Sequence, residues 1–268
     1  MAITLAFKRL QGRQRPAENR PNGAGASESE GALMKVTGNT AIFDLDGTLA
    51  DTSADLIAAA NACFADEGAS PPLCPEADAA TAFRGGRAML RLGFERLEGR
   101  ADPVRVEAAF PRFLAHYEAG IDRHTRLYDG VEEALALLSR GGWRLGICTN
   151  KPERLAEMLM RRLGMRAPFA TLIGAGTLPT RKPDPAPLLA AIEGAGGVRR
   201  RAVLIGDTET DRATARNAGV PCVLVTFGPA GRAAAALEPE ALLDHYDALP
   251  GLLAGLVEGP GRRAGPGA

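Results

Sequence analysis

The chain has 268 residues, enough for one well-buried core or a core with a smaller subdomain. Lys and Arg number 32 together, as do Asp and Glu, so no charge excess argues for a nucleic-acid partner. The longest apolar stretches are strand-sized, which excludes a transmembrane helix and with it a membrane partner.

Residues 1–33 are rich in Arg, Gly, Ala, Asn, Ser and Glu without periodicity, and read as a disordered N-terminal extension that cannot bury enough apolar area to offset ordering. Met34, just before Lys35-Val36, opens the compact part and reads as a candidate start of translation. A transit peptide is the rival reading: Lys8, Arg9, Arg13, Arg15 and Arg20 favour it, whereas Glu18, Glu28, Glu30 and the lack of an amphipathic stripe oppose it.

The first predicted strand, 40–44, runs into Asp44-Leu45-Asp46-Gly47-Thr48. Alternate strand residues point to one side, so Asp44 and Asp46 can face a common site. Two such carboxylates repel, and a hard divalent cation such as Mg²⁺ relieves the repulsion while binding a phosphoryl oxygen. At about 5% usage per residue type, Asp-x-Asp-Gly-Thr arises by accident in roughly one chain of this length in several hundred. An acidic surface turn would not require the apolar strand that precedes it. The segment reads as a phosphoryl-transfer centre.

From Asp51 to Asp129 the chain is far longer than a crossover requires, so residues 53–126 are assigned to a separate helical subdomain. Leu56, Ala59, Ala60, Cys63 and Phe64 form one helical stripe, and Phe110, Phe113, Leu114 and Tyr117 another. Pro103 suits a helix start, and Pro111 is expected to kink or restart its helix. In Arg84-Gly85-Gly86-Arg87 the glycines permit close backbone approach and either Arg can pair with a carboxylate; the bland alternative is a helix start with solvated arginines. His116, His124 and His245 have no metal-ligand spacing, and Cys63, Cys74, Cys148 and Cys222 form no Cys-x-x-Cys pair, as suits a reducing cytoplasm.

Beyond the subdomain, predicted strands at 143–148, 170–174, 202–206 and 221–226 alternate with helices near 130–140, 152–164, 185–195 and 209–218. This is a doubly wound α/β order with a mostly parallel, Rossmann-like sheet in 34–52 and 127–258, followed by a flexible tail at 259–268. Cys148-Thr149-Asn150-Lys151 closes one strand, Arg181-Lys182-Pro183 lies in a loop, and Gly206-Asp207-Thr208-Glu209-Thr210-Asp211 closes another. All fall where the carboxyl ends of parallel strands bind ligands.

In that order and context these four segments resemble the haloacid dehalogenase superfamily of phosphohydrolases, from about Asn39 to Leu253. Three of the segments are weak alone; the ordered set of four is specific. The resemblance implies a helical cap, residues 53–126, closing over the site and selecting the substrate. It implies Asp44, Asp207 and the backbone carbonyl of Asp46 as direct Mg²⁺ ligands. Asp211, one helical turn beyond Asp207, is a direct or water-mediated ligand or a partner that orients Lys182.

Physical roles fit these positions. Asp44 is the nucleophile, because a carboxylate splits a very slow hydrolysis into formation and breakdown of an aspartyl-phosphate. Asp46 is the general acid and base. Thr149 and Lys182 meet the charge on the phosphoryl oxygens, and Lys182 keeps Asp44 ionised. Asn150 either donates to the substrate or caps the helix after Pro152; Lys151 reads as solvated, and Thr208 and Thr210 as helix caps. Among capped phosphatases the motifs look most like phosphoglycolate phosphatases, so the expected partner is a small phosphorylated metabolite, 2-phosphoglycolate first, with sugar phosphates, nucleotides or pyrophosphate as alternatives. Arg84 and Arg87 are the candidates for its carboxylate. A phosphomutase shares the nucleophile and acid, a dehalogenase would not need Asp46, and a non-catalytic binding protein would not need the full set. A cytoplasmic monomer or homodimer is expected.

Overall fold

Short apolar runs become a parallel sheet here because helices cover both of its faces. The computed structural model describes residues 38–258; the expected disordered extension at 1–33 and flexible tail at 259–268 lie outside the described residues. The sheet contains β1 (Thr40–Phe43), β4 (Arg144–Pro152), β5 (Thr171–Ala175), β6 (Ala202–Gly206), β7 (Cys222–Val225) and β8 (Ala241–Leu243), in the order β5-β4-β1-β6-β7-β8. Every neighbouring pair is parallel. α5 (Val131–Arg140), α6 (Glu153–Arg162), α7 (Ala186–Gly194), α8 (Glu209–Ala218) and α9 (Leu249–Glu258) flank it. Strand alternation divides the core in two: Phe43, Ile147, Ile205 and Val223 pack on one face, and Ile42, Cys148, Leu204 and Leu224 on the other.

The chain moves outward from β1 through β4 to β5, then returns to β6 on the other side of β1 and moves outward again. That reversal puts the carboxyl ends of β4, β1 and β6 side by side, with Phe43 in register with Ile147 and Ile205. A crevice at such a reversal is where open α/β sheets bind ligands. β8 and α9 were not predicted from the sequence; β8 is three residues long and carries no alternation of its own.

Ala50–Asp51 (β2) pairs antiparallel with Arg126–Leu127 (β3), making a two-stranded neck. Between them lies an all-helical insertion of α1 (Ser53–Ala65), α2 (Pro75–Ala82), α3 (Gly86–Glu98) and α4 (Pro103–Ala119). Its centre holds Leu56, Ala60, Phe64, Phe94, Phe113 and Tyr117. Gly93 has to be glycine, since a Cβ there would lie 2.2 Å from the Phe64 ring. Pro103 occupies the first turn of α4 behind an Asp102 cap, as expected. Pro111 neither breaks nor restarts that helix, which runs unbroken for 17 residues. Pro111 and Glu107 both face solvent, so water can serve the carbonyl that proline leaves without a donor.

Asp55 fastens the insertion to its neck. Its buried carboxylate accepts from the backbone N–H groups of His124 and Thr125 at 3.0 and 2.9 Å and from Thr125 Oγ1 at 2.8 Å. Asp55→Ala strands those donors and is expected to destabilise the protein by about 3 kcal/mol, the scale of losing hydrogen bonds to a charged group. Urea unfolding should show the midpoint falling with an unchanged slope; an unshifted midpoint would dismiss the clamp.

Candidate active site

β1 ends at Phe43, and the Asp44 N–H donates to Ile205 O at 2.9 Å, so Asp44 stands where β1 and β6 finish together. The chain then turns. Leu45 O accepts from Thr48, Leu49 and Ala50, and Gly47 takes φ +80°. A Cβ on Gly47 would lie 2.3 Å from Asp207 Oδ2, so glycine is required twice over, for its backbone angle and for its lack of bulk.

Asp207 follows β6. Its Oδ1 accepts from Thr48 Oγ1 at 3.0 Å, and its buried Oδ2 has no hydrogen-bond partner among the described residues. Asp211, in the first turn of α8, gives Oδ1 to Lys182 Nζ at 2.6 Å. Its Oδ2 accepts from the Thr208 N–H and Oγ1 at 3.1 and 2.6 Å, forming a capping box. Asp211 thus orients Lys182, one of the roles the sequence offers it, and also joins Asp44 and Asp207 in the carboxylate cluster. Thr208 caps α8 as expected, whereas Thr210 lies inside the helix and does not. Lys182 also reaches Asp44 Oδ2 at 2.9 Å. Asn150 caps nothing: α6 has no side-chain cap, and the Asn150 amide donates to Lys182 O at 3.1 Å, bracing the loop that carries the lysine.

One oxygen each from Asp44, Asp207 and Asp211 lie within 4.8 Å of one another, all buried. Burial, only partly opposed by Lys182, raises the Asp44 pKa to about 6, with Asp211 and Asp46 adding to the rise. Burial, then the charges of Asp211 and Asp44, pushes Asp207 well above the usual carboxylate range. Lys182 is opposed by its burial, yet Asp211 and Asp44 hold it above the ordinary lysine range. The unpartnered Asp207 oxygen and the excess of carboxylates fit a divalent cation.

Asp46 belongs to a different network. Its Oδ1 accepts from Thr52 Oγ1 at 2.7 Å and Lys151 Nζ at 2.8 Å, and its Oδ2 from Lys151 at 3.1 Å. The expectation of a solvated Lys151 is therefore overturned, since only 3% of its side chain is exposed. β4 runs on to Pro152, so Lys151 shares a side with Thr149, the i, i+2 relation that could have revealed it. Burial works against its charge, but Asp46 outweighs that and raises its pKa above the ordinary lysine range. The Tyr117 ring of α4 lies 4.4 Å from Lys151 Nζ. Thr149, buried at the end of the same strand, accepts from the Lys151 N–H at 3.2 Å and keeps its hydroxyl proton to donate.

A cleft of about 290 Å³ lies between α2 and the core, lined by Asp51, Glu76, Phe83, Tyr128, Phe227 and Gly228 among others. Gly228 adjoins the cluster: a Cβ on it would stand 3.2 Å from Asp207 Cβ. Neither Arg84 nor Arg87 lines this cleft. Arg84 is exposed beside Gly85; Arg87, in the first turn of α3, pairs with Glu107 at 2.6 and 2.9 Å and stacks on Phe110.

The family model described as haloacid dehalogenase-like hydrolase matches residues 41–225. A phosphoglycolate phosphatase from Agrobacterium fabrum is 38% identical over 218 residues, covering 81% of this chain and 93% of the relative. One from Xanthomonas campestris pv. campestris is 41% identical over 187 residues, covering 70% and 82%. The crystal structure of a predicted phosphoglycolate phosphatase from Haemophilus somnus superposes with TM-score 0.71 at 23% identity, covering 80% of this chain and 97% of that one, a likeness of fold.

The raised carboxylates give a pH signature. Asp44 binds its proton more tightly folded than unfolded, so in metal-free protein its contribution is fully present below the unfolded pKa near 3.8 and is lost as pH rises through about 6. A cation that binds the ionised cluster restores the loss. The rise in melting temperature on replacing EDTA with Mg²⁺ should be larger at pH 8 than at pH 5 and absent in Asp207→Asn; equal rises at both pH values would contradict the assignment.

Proposed function

This chain belongs to the haloacid dehalogenase-like hydrolase family, and on that premise we propose that it is a Mg²⁺-dependent phosphomonoesterase working through an aspartyl-phosphate, with 2-phosphoglycolate as its substrate. The observation that carries the reading is the division of carboxylates: Asp44 faces Lys182 in the buried cluster, while Asp46 sits apart on Lys151 and Thr52. One carboxylate is placed to attack and the other to move protons.

An Asp44 oxygen attacks phosphorus, and the P–O bond to the leaving alkoxide breaks as Asp46 gives the alkoxide a proton. Ionised Asp46 then takes a proton from water as its oxygen attacks the aspartyl-phosphate, freeing inorganic phosphate and regenerating Asp44. Lys182 and Thr149 donate to the non-bridging oxygens, where most charge lies. Asp44, Asp207 and the Asp46 backbone carbonyl would hold Mg²⁺, which when bound neutralises charge on the phosphoryl oxygens. The helical insertion acts as a cap over the cleft, its closure excluding bulk water from the intermediate. A cytoplasmic location suits a small phosphorylated metabolite.

The names of the relatives support 2-phosphoglycolate. One observation favours a second reading: Asp51 and Glu76 line the cleft and, among the described residues, no Lys or Arg does, which suits an uncharged leaving group such as a sugar better than a carboxylate. Rates of Mg²⁺-dependent phosphate release decide between them. A kcat/KM for 2-phosphoglycolate well above those for sugar phosphates, nucleotides and pyrophosphate supports the first reading, and a lead for a sugar phosphate replaces the substrate while keeping the chemistry. Asp44→Asn should lower turnover by at least ~10³-fold, on the scale of losing a nucleophile, with the fold intact; retained turnover would remove Asp44 from its role.

A further inference from the structure

Two buried lysines stand at the site, and the reaction as described uses only one. Lys182 pairs with Asp44 and Asp211; Lys151 pairs with Asp46, and among the described residues with no other carboxylate. We propose that Lys151 is the positioning residue for the proton-carrying carboxylate: with Thr52 it fixes the rotation of Asp46 so that Oδ2 is the oxygen that gives and takes the proton. The proposal rests on the reading of Asp46 as acid and base.

A carboxylate oxygen accepts about two strong hydrogen bonds. Asp46 Oδ1 has two donors, Thr52 Oγ1 at 2.7 Å and Lys151 Nζ at 2.8 Å, whereas Oδ2 has a single longer one, Lys151 at 3.1 Å. Unheld, an aspartate rotates about χ2 in a broad two-fold well, presenting either oxygen. The two donors remove that freedom, and a misplacement of ~1 Å at a reacting group costs on the order of 10²-fold in rate. Lys151 is itself fixed, buried with Asp46 on its ammonium and the Tyr117 ring at 4.4 Å. In this way a residue of the insertion supports the acid through Lys151.

The role predicts a loss that depends on the leaving group. Nitrophenolate departs without a proton, an alkoxide does not, and kcat/KM reports steps up to the first irreversible one. In the full-length protein, Lys151→Met should lower kcat/KM for 2-phosphoglycolate by ~10²-fold, the scale of general-acid catalysis, and for 4-nitrophenyl phosphate by less than ~10-fold. Thr52→Val, which removes the other donor to Oδ1, should show the same selectivity at smaller amplitude and carries the test if Lys151→Met fails to fold. Lys182→Met should depress both esters alike. Equal losses on both esters in Lys151→Met and Thr52→Val, or no loss on either, would reduce Lys151 to a structural ion-pair partner. Should the wild type reject 2-phosphoglycolate but cleave a sugar phosphate, the substrate reading falls and that alkyl ester takes its place in the comparison. A wild type inactive on every ester would overturn both proposals.

Discussion

Three carboxylates are buried together beside one lysine, and the surrounding structure is organised to hold them there. Asp44, Asp207 and Asp211 are each under a tenth exposed, and Lys182 pairs with Asp44 and Asp211 and, among the described residues, with no other carboxylate. Burying charge without full compensation is costly, and the cost is visible in the raised pKa values of Asp44 and Asp207 and in the unpartnered Asp207 oxygen. Such a cluster persists only where backbone and packing leave it no alternative. The parallel register of β1 and β6 places Asp44 beside Gly206, the missing side chain of Gly47 admits the Asp207 carboxylate, the capping box fixes Asp211, and Asn150 braces the Lys182 loop. Stability forgone at the site is supplied by the two apolar layers that clamp the sheet.

The second constraint is separation. Asp44 and Asp46 are two residues apart, yet each has its own lysine. Strand alternation alone would have set them side by side, but β1 stops at Phe43 and the turn about Leu45 O directs Asp46 towards β4. Two carboxylates of one network would share protons, so that neither could take a chemical role of its own. Anchoring Asp46 to Lys151 and Thr52 lets one short loop present both groups while keeping their environments distinct.

Much of this was legible in the sequence because the core is built from periodic elements. The strand read at 202–206 is Ala202–Gly206, and the helices read near 130–140 and 209–218 are Val131–Arg140 and Glu209–Ala218. The four chemical segments do meet at the carboxyl ends of the strands. What escaped was set by tertiary context. Lys151 looked solvated because a charged residue after a strand usually is; only the extension of β4 past Asn150, with Asp46 opposite, makes its burial tolerable. From the sequence Asn150 reads as substrate donor or helix cap, while its amide donates to a carbonyl 32 residues away that no local pattern announces. Pro111 was expected to disturb α4, but propensity yields where the missing hydrogen bond faces water.

The ties between the helical insertion and the sheet are of unequal strength. At the neck, Asp55 holds the returning chain through several buried hydrogen bonds. Toward α6 the contacts are exposed ion pairs, Arg154 with Glu118 and Arg162 with Asp122, which solvent and salt weaken. Between these, Tyr117 reaches Lys151 in a buried contact next to Asp46. A rotation of the insertion about the neck would therefore meet little resistance at α6, yet it would shift Tyr117 against Lys151, which pairs with Asp46. Asp46 is thus linked to the seating of the insertion through Tyr117 on Lys151 and through Thr52 at the start of α1, whereas Asp44, Lys182 and the rest of the carboxylate cluster lie on the sheet side.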